Sequence, residues 1–527
     1  MNVLLENHYD AVVVGAGLNG SWVAKELTSG GMKVALVDAG AILQEAEFIP
    51  ARFQSNVFDL KYHLFRIKLL LKGDTDRAFA KFVTSQTSKL FLDRRSEPYL
   101  TPPEHDFLWM RVRAVGGRGH LWGRVMLRFT DRQLANSDFS WPMRYADLAP
   151  YYDEVEELME MGGAPSQTPE VPDGRYIHER SLHPLETQFR DSVRRRWPDR
   201  HVVVNHVAGY APGPMSPMLK LANETGRLFL QPSKVVTALS MSSNGVATGV
   251  TTVCTKSGAV ETIRARYVIL SASAFESVRI LLNTKCERWP NGLSNDNGLV
   301  GTRILEHMTD GFLAALPISI RNKKPSYYFN PFKLNAEPHG FYIPPFLPAE
   351  KGGAGYRFGY GVQGTISTDT GIFFLCGFGE TVPSDANRLR LSESKKDRFG
   401  VPVASIDFSW SAEDVAMWKD MRRALGEMTE AFCVDSGIKL EHPLADRARK
   451  KLVGRSIPVP GSNHECGGAR MGLDPATSVV DSYNRLWGAP NVLVCDTACF
   501  PSIPQQNPTL TSMALAIRAS RQLLTTN

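Results

Sequence analysis

Apolar positions along this chain recur with two periods. The segment "YDAVVVGAGLNG" opens with a β-branched run, Ala11–Val14, of the unbroken kind that suits a strand buried on both faces. The next ten residues, "SWVAKELTSG", set Val23 and Leu27 one turn apart and stop at glycines, which predicts a helix. A second strand is predicted at "KVALVD", ending on Asp38. Further on, "LKYHLFRIKLLLKG" (60–73) is amphipathic and basic, and we read it as a surface or interface helix in preference to one lying on a membrane. A Trp-Pro turn in "FSWPMRYADLAPYYDEVEELMEM" predicts a helix after Asp147, whereas 160–200, rich in proline and polar residues, reads as a loop or excursion. Residues 227–283 alternate short strands with turns, then predict a buried strand, "YVILSAS", running into a helix. Aromatic and β-branched residues in 315–410 predict an antiparallel sheet. The stretch "SAEDVAMWKDMRRALGEMTEAFCVDSG" predicts a helix capped by Ser411, with Glu413 and Asp414 in its first turn. No repeat of fixed period appears.

Composition narrows the class. At 527 residues the chain exceeds one ordinary core, so two or more domains are expected, interleaved or consecutive. The 43% hydrophobic and 22% charged residues are those of a globular protein. A net charge of +6 is small for this length, and the basic residues of "RVRAVGGRGHLWGRVMLR" are interrupted by glycines, so no nucleic-acid surface is expected. Seven cysteines, an odd number without a C-x-x-C, argue for free thiols in a reducing compartment. The start of the chain does not read as a secretion signal, and no run of about 18 apolar residues predicts a membrane span. The expected location is cytoplasmic.

Two glycine turns carry the first chemistry. Gly15, Gly17 and Gly20 form G-x-G-x-x-G between the first strand and its helix, and Asp38 closes the second strand. Strand, glycine turn, helix, strand and acid together are the dinucleotide fingerprint: backbone amides approach a pyrophosphate while the acid meets a ribose hydroxyl. At this point NAD and FAD are both open. The second turn (114–129) holds Gly116, Gly117, His120, Leu121, Trp122 and Arg124. His178 and His183 lack a metal-ligand pattern, and no metal site is expected. Cys466 and Cys499 are expected to pack without redox work.

The carboxyl-terminal stretch "NHECGGARMGLDPATSVVDSYNRLWGAPNVLVCDTACFPSIPQQNPTLTSMALAIRAS" (463–520) resembles the glucose–methanol–choline (GMC) oxidoreductases. The likeness extends over the first 40 residues, 114–152, 227–310 and 378–403, and the "NPTLT" ending is similar to pyranose oxidases and glucoside 3-dehydrogenases. The resemblance implies FAD and an α/β fold: a Rossmann-like FAD-binding domain interleaved with a substrate domain on a largely antiparallel sheet with helices. The expected pieces are 1–139, 227–310 and 456–527 for the first, and 140–226 and 311–455 for the second. It implies that His464 faces the flavin N5 with Asn507 as its partner. Asp496 would hold the ribityl or pyrophosphate region and Val236 the adenine, with Gly116, Gly117, His120, Leu121, Thr497, Pro508 and Thr509 also on the cofactor. In pyranose oxidases a histidine directly before the Trp of the glycine loop bonds covalently to flavin; here that place is Leu121, with His120 one residue earlier, so the FAD is expected to be non-covalent.

Flavin oxidation of an alcohol needs a base for the hydroxyl proton and a donor to hold the oxygen, roles that fall to His464 and Asn507. Gly467 and Gly468 are expected to let backbone approach the flavin ring. The implied reaction is oxidation of a sugar or glycoside hydroxyl, most simply at C3, with oxygen or another acceptor taking the electrons. The alternatives are oxidation of a primary alcohol of an aminoglycoside-type intermediate and, less favoured, a lyase. Tyr327, Tyr328, Phe329, Tyr342 and Trp410 are candidate sugar-stacking rings, and Glu380, Asp385 and Glu393 candidate partners for an aminosugar. Oligomeric state stays open.

Overall fold

A computed structural model describes residues 8–44, 60–79, 83–85, 87–135, 141–209, 215–322, 340–346, 355–441, 457–461 and 463–526. Along the chain come β1 (His8–Val14), β2 (Val34–Val37), β3 (Met161–Gly163), β4 (His178–Glu179), β5 (Val203–Val204) and β6 (Val207–Ala208). Then follow β7 (Leu228–Gln231), β8 (Lys234–Met241), β9 (Ala247–Cys254) and β10 (Val260–Leu270). The middle of the chain supplies β11 (Ile304–Leu305), β12 (Met308–Ala315), β13 (Phe341–Ile343), β14 (Tyr360–Ser367), β15 (Ile372–Gly379), β16 (Arg388–Lys396) and β17 (Pro402–Asp407). Near the end lie β18 (Cys466–Gly467) and β19 (Val492–Val494).

The larger sheet runs β7-β2-β1-β10-β9-β8, with β19 joining β10 beyond β9. β7, β2, β1, β10 and β19 are parallel, β9 runs antiparallel to β10, and β8 pairs antiparallel with β9. Every residue of β2 is buried, as the apolar run demands of a strand covered on both faces. Helix Leu18–Ser29 leaves the first glycine turn and packs on the last helix, Thr509–Thr525, so the two ends of the chain meet over this sheet.

The second sheet, β12-β15-β14-β13-β5, is antiparallel throughout. Its strands alternate strictly. Phe341, Val362, Phe373 and Leu375 join Phe189, Met421 and Phe432 in a core beneath helices Pro184–Arg196 and Ala412–Ser436. Their neighbours Gln363, Phe374, Cys376 and Phe378 face a cavity on the other side. Helix Ala412–Ser436 is capped by Ser411 at 3.1 Å from Asp414 N and ends on Gly437 at φ 69°.

Three expectations need correction. Residues 160–200 are not all loop: they contain helix Pro184–Arg196, with His183 as N-cap, Pro184 in the first turn, and Glu186 closing a capping box. The helix expected after Asp147 is Tyr145–Leu158, and Asp147 sits in its first turn, accepting from Arg144 N at 2.8 Å. The expected domain edges also shift. β12 straddles 310/311, and Tyr145–Leu158, Pro217–Glu224 and the β16–β17 hairpin place Leu148, Met218 and Ile406 in the core of the larger sheet. Hydrophobic burial set those edges, and it follows apolar faces that chain order does not reveal. Tyr327, Tyr328 and Phe329 lie outside the described residues.

Candidate active site

A cavity of about 1620 Å³ runs between the two sheets. One end is built by the first glycine turn, and each glycine answers to a different neighbour. Gly15, at φ 99°, would place a Cβ 2.3 Å from Ser271 O; Gly20 would place one 1.8 Å from Gly15 O. A Cβ on Gly17 would meet nothing within 4 Å, because this glycine faces the cavity. The starts of helices Leu18–Ser29 and Thr509–Thr525 converge here, tied by Ser512 Oγ donating to Asn19 Oδ1 at 3.1 Å. Two helix N-termini over an open glycine form a ready anion cradle. Asp38 accepts from Ala16 N at 2.8 Å and Gly40 N at 2.7 Å; burial outweighs these bonds and pushes its pKa up to about 6. Val236, Thr497, Pro508 and Thr509 also line the cavity. Asp496 joins them, capping a short turn through Ala498 N at 2.9 Å and accepting from Ser277 Oγ at 2.5 Å. The set fits an extended dinucleotide.

The second glycine loop lies against this cradle. Gly117, Leu121 and Trp122 line the cavity, and Trp122 Nε1 is buried without a hydrogen-bond partner among the described residues. Gly116 and His120 do not line it. His120 is buried behind the loop, its Nε2 2.7 Å from Val115 O, so the expected cofactor contact becomes a strut under the turn. Burial also lowers its pKa, keeping the ring neutral in this role.

His464 lines the cavity, half-buried, with its Nε2 3.1 Å from Asn507 Nδ2. Asn507 Oδ1 accepts from Gln363 Nε2 on β14. Behind His464 stands a residue that sequence reasoning missed. His307 Nδ1 is 2.7 Å from His464 Nδ1, and His307 Nε2 is 2.7 Å from Pro504 O. The pairing arises because β11 and β18 are antiparallel, with Leu305 opposite Cys466. Extending that register two residues sets His307 across from His464. Glu306 binds both histidines' backbones, accepting from His307 N at 2.9 Å and His464 N at 2.9 Å. Burial pushes Glu306 up to about 8. No sequence pattern announces a contact across 157 residues.

Gly467 and Gly468 do not serve the flavin as expected. At φ 74° and 91°, their Cβ atoms would strike Arg303 O at 2.1 Å and Val278 Cγ2 at 2.8 Å. Gly467 permits the β11–β18 pairing that sets His464 against His307, and Gly468 lets the segment pack on helix Ala274–Asn283. Arg118 links the glycine loop to the same segment, donating to Asn463 O at 2.6 Å and pairing with Glu465 at 3.1 Å.

The far end of the cavity is the open face of the second sheet. Its floor carries Gln363, Thr365, Phe374, Cys376 and Phe378, with Asn205 at the edge. Asn205 is buried, and its Oδ1 has no hydrogen-bond partner among the described residues. Rings on the cavity wall include Phe374, Phe378, Trp122 and Trp418, with Tyr62, Phe79 and Phe91 elsewhere along it; Tyr342 is sealed in the sheet and Trp410 donates to Pro458 O at 2.9 Å. None of the three expected acids reaches the cavity. Glu380 is buried against Gln505 Nε2 at 2.8 Å, Asp385 pairs with Arg303 at 2.9 Å, and Glu393 is exposed on β16. Asp310 is a carboxylate that does, held by Trp418 Nε1 at 3.0 Å. All seven cysteines are free, and burial raises the pKa of Cys466 and Cys499 well above the usual thiol range. No metal-holding cluster and no helix long and apolar enough to cross a membrane occur among the described residues.

Comparison with known proteins matches residues 383–516 to the family described as GMC oxidoreductase. The 2-methyl-1,2-propanediol dehydrogenase of Mycolicibacterium austroafricanum is 26% identical over 442 residues, 72% of this chain and 73% of that protein. Paromamine 6'-oxidase of Streptomyces fradiae is 30% identical over 268 residues, 49% of this chain and 45% of its own length. Among solved structures, formate oxidase of Aspergillus oryzae RIB40 superposes with a TM-score of 0.66 at 15% identity, covering 99% of both chains. That likeness is one of fold.

Proposed function

Since this chain belongs to the GMC oxidoreductases, we propose that it is an FAD-dependent enzyme oxidising a hydroxyl of a sugar or glycoside, most simply the secondary alcohol at C3. The observation that carries the reading is the convergence of His464 Nε2 and Asn507 Nδ2, 3.1 Å apart, on a cavity that continues into a dinucleotide cradle. Gly15, Gly17, Asp38, Asp496 and the two helix N-termini would hold FAD, and Leu121 offers it no covalent link. When bound, FAD supplies the acceptor for the hydride that leaves the carbinol carbon.

His464 takes the hydroxyl proton at Nε2, the nitrogen that faces the cavity. Asn507 Nδ2 donates to the same oxygen as it gains charge, and Gln363 keeps that amide from turning. Phe374 and Phe378 exclude water from the far side, while Thr365 and Asn205 offer hydrogen bonds to further hydroxyls of a polyol. Oxygen or another acceptor then restores the cofactor.

A second reading is oxidation of the primary alcohol of an aminoglycoside-type substrate, favoured by the paromamine 6'-oxidase likeness and by Asp310 on the cavity wall. The test is an anaerobic screen of glycosides and aminoglycosides for bleaching of the flavin absorbance, followed by product analysis. A 3-keto glycoside supports the first reading and a 6'-aldehyde the second. Substrate turnover with the flavin left oxidised throughout would replace both with a lyase.

A further inference from the structure

We propose that His307 is a positioning residue that fixes the tautomer of His464, so that the nitrogen aimed into the cavity carries the lone pair. The inference rests on the reading of His464 as base and adds what makes it one. The Pro504 carbonyl can only accept, and it lies 2.7 Å from His307 Nε2, so that nitrogen bears a proton. A neutral imidazole has one N–H, which leaves His307 Nδ1 as an acceptor. His464 Nδ1, 2.7 Å away, must then be the donor, and its Nε2 is left unprotonated.

The other end of the chain of bonds agrees with this answer. Gln363 Nε2 donates to Asn507 Oδ1, so Asn507 presents its N–H group to His464 Nε2 at 3.1 Å. A protonated Nε2 there would set two donors against each other. The alternative, a doubly protonated His307 with His464 accepting at Nδ1, would bury a cation in a residue only 2% exposed. Glu306 makes the arrangement rigid by clasping both histidine backbones. When His464 gains the substrate proton, its Nδ1–H bond to neutral His307 becomes charge-assisted and shares the new charge.

The experiment uses the FAD-loaded protein with ¹⁵N-labelled histidine imidazoles, read by two-bond ¹H–¹⁵N correlation near neutral pH and assigned with His464→Gln and His307→Asn. The expected result is an Nδ1–H tautomer at His464 and an Nε2–H tautomer at His307. His307→Asn, whose side-chain oxygen can still accept, keeps the His464 tautomer; His307→Leu loses it and slows flavin reduction roughly 10–100-fold. An Nε2–H tautomer at His464 in the native protein, or an unchanged one in His307→Leu, overturns the proposal. Should the His307→Leu chain fail to bind FAD, the native-state tautomer decides alone. Normal flavin reduction by a His464→Ala protein would instead overturn the base assignment, whatever the tautomer.

Discussion

At the scale of single residues, the site depends on two groups whose surroundings do opposite things. His464 is wet enough to exchange protons and is held from behind, so removing its ring removes base and positioning together. His464→Ala should retain bound FAD yet reduce flavin about 10²–10⁴-fold more slowly in anaerobic stopped-flow with any substrate that bleaches the native enzyme. Glu380 is the contrast: buried, its carboxyl tied among the described residues to one neutral amide, and pushed up by that burial to about 8 from a usual 4.5. Between those values the folded chain holds a proton that the unfolded chain has lost, so unfolding releases it and stability falls as pH rises through the window. Glu380→Gln should therefore lose less thermal stability than the native protein between pH 5.5 and pH 8. An equal loss in both would show that Glu380 ionises freely in the folded state.

The scale of elements explains why three glycines two and three residues apart are not equivalent. Gly20 lies where helix Leu18–Ser29 touches the strand turn, 1.8 Å from Gly15 O for an added Cβ, whereas Gly17 opens onto the cavity. Gly17→Ala should fold with a thermal midpoint close to that of the native apoprotein while binding FAD much more weakly, because its methyl enters only ligand space. Gly20→Ala should lower the midpoint of the apoprotein itself, by separating helix from strand. Differential scanning calorimetry of flavin-free protein separates the two. The same scale shows what a sequence reading misses. Helix Pro184–Arg196 had every end signal, a proline first turn and a capping glutamate, yet polar composition hid it. Its apolar stripe is Leu185, Phe189 and Val193, four residues apart each time, and the arginines and acids between them outweighed it in a reading by composition.

For the whole molecule, the cavity is bounded by residues from position 14 to position 512, so a bound dinucleotide bridges segments far apart in the chain. Saturating FAD should raise the thermal midpoint of the deflavinated protein by several degrees, since a ligand in hundredfold excess over its dissociation constant adds about 2.7 kcal/mol. Acid precipitation of the yellow protein should leave the colour in the supernatant, in keeping with Leu121 at the position where a covalent histidine stands in pyranose oxidases. Colour in the pellet would mean a linkage through another side chain.

Local patterns were enough for β1, the first glycine turn, helix Leu18–Ser29 and β2, because short-range sterics and an apolar run dictate each of them within about thirty residues. Resemblance over short motifs pointed to His464 and Asn507 before any geometry was in view. Tertiary structure alone decided that His120 turns away, that Gly467 serves strand pairing, and that His307 backs His464. The physical reason is common to all three. Each depends on an atom more than a hundred residues away or on which side of a turn faces the core, and neither is written in the spacing of residues along one segment.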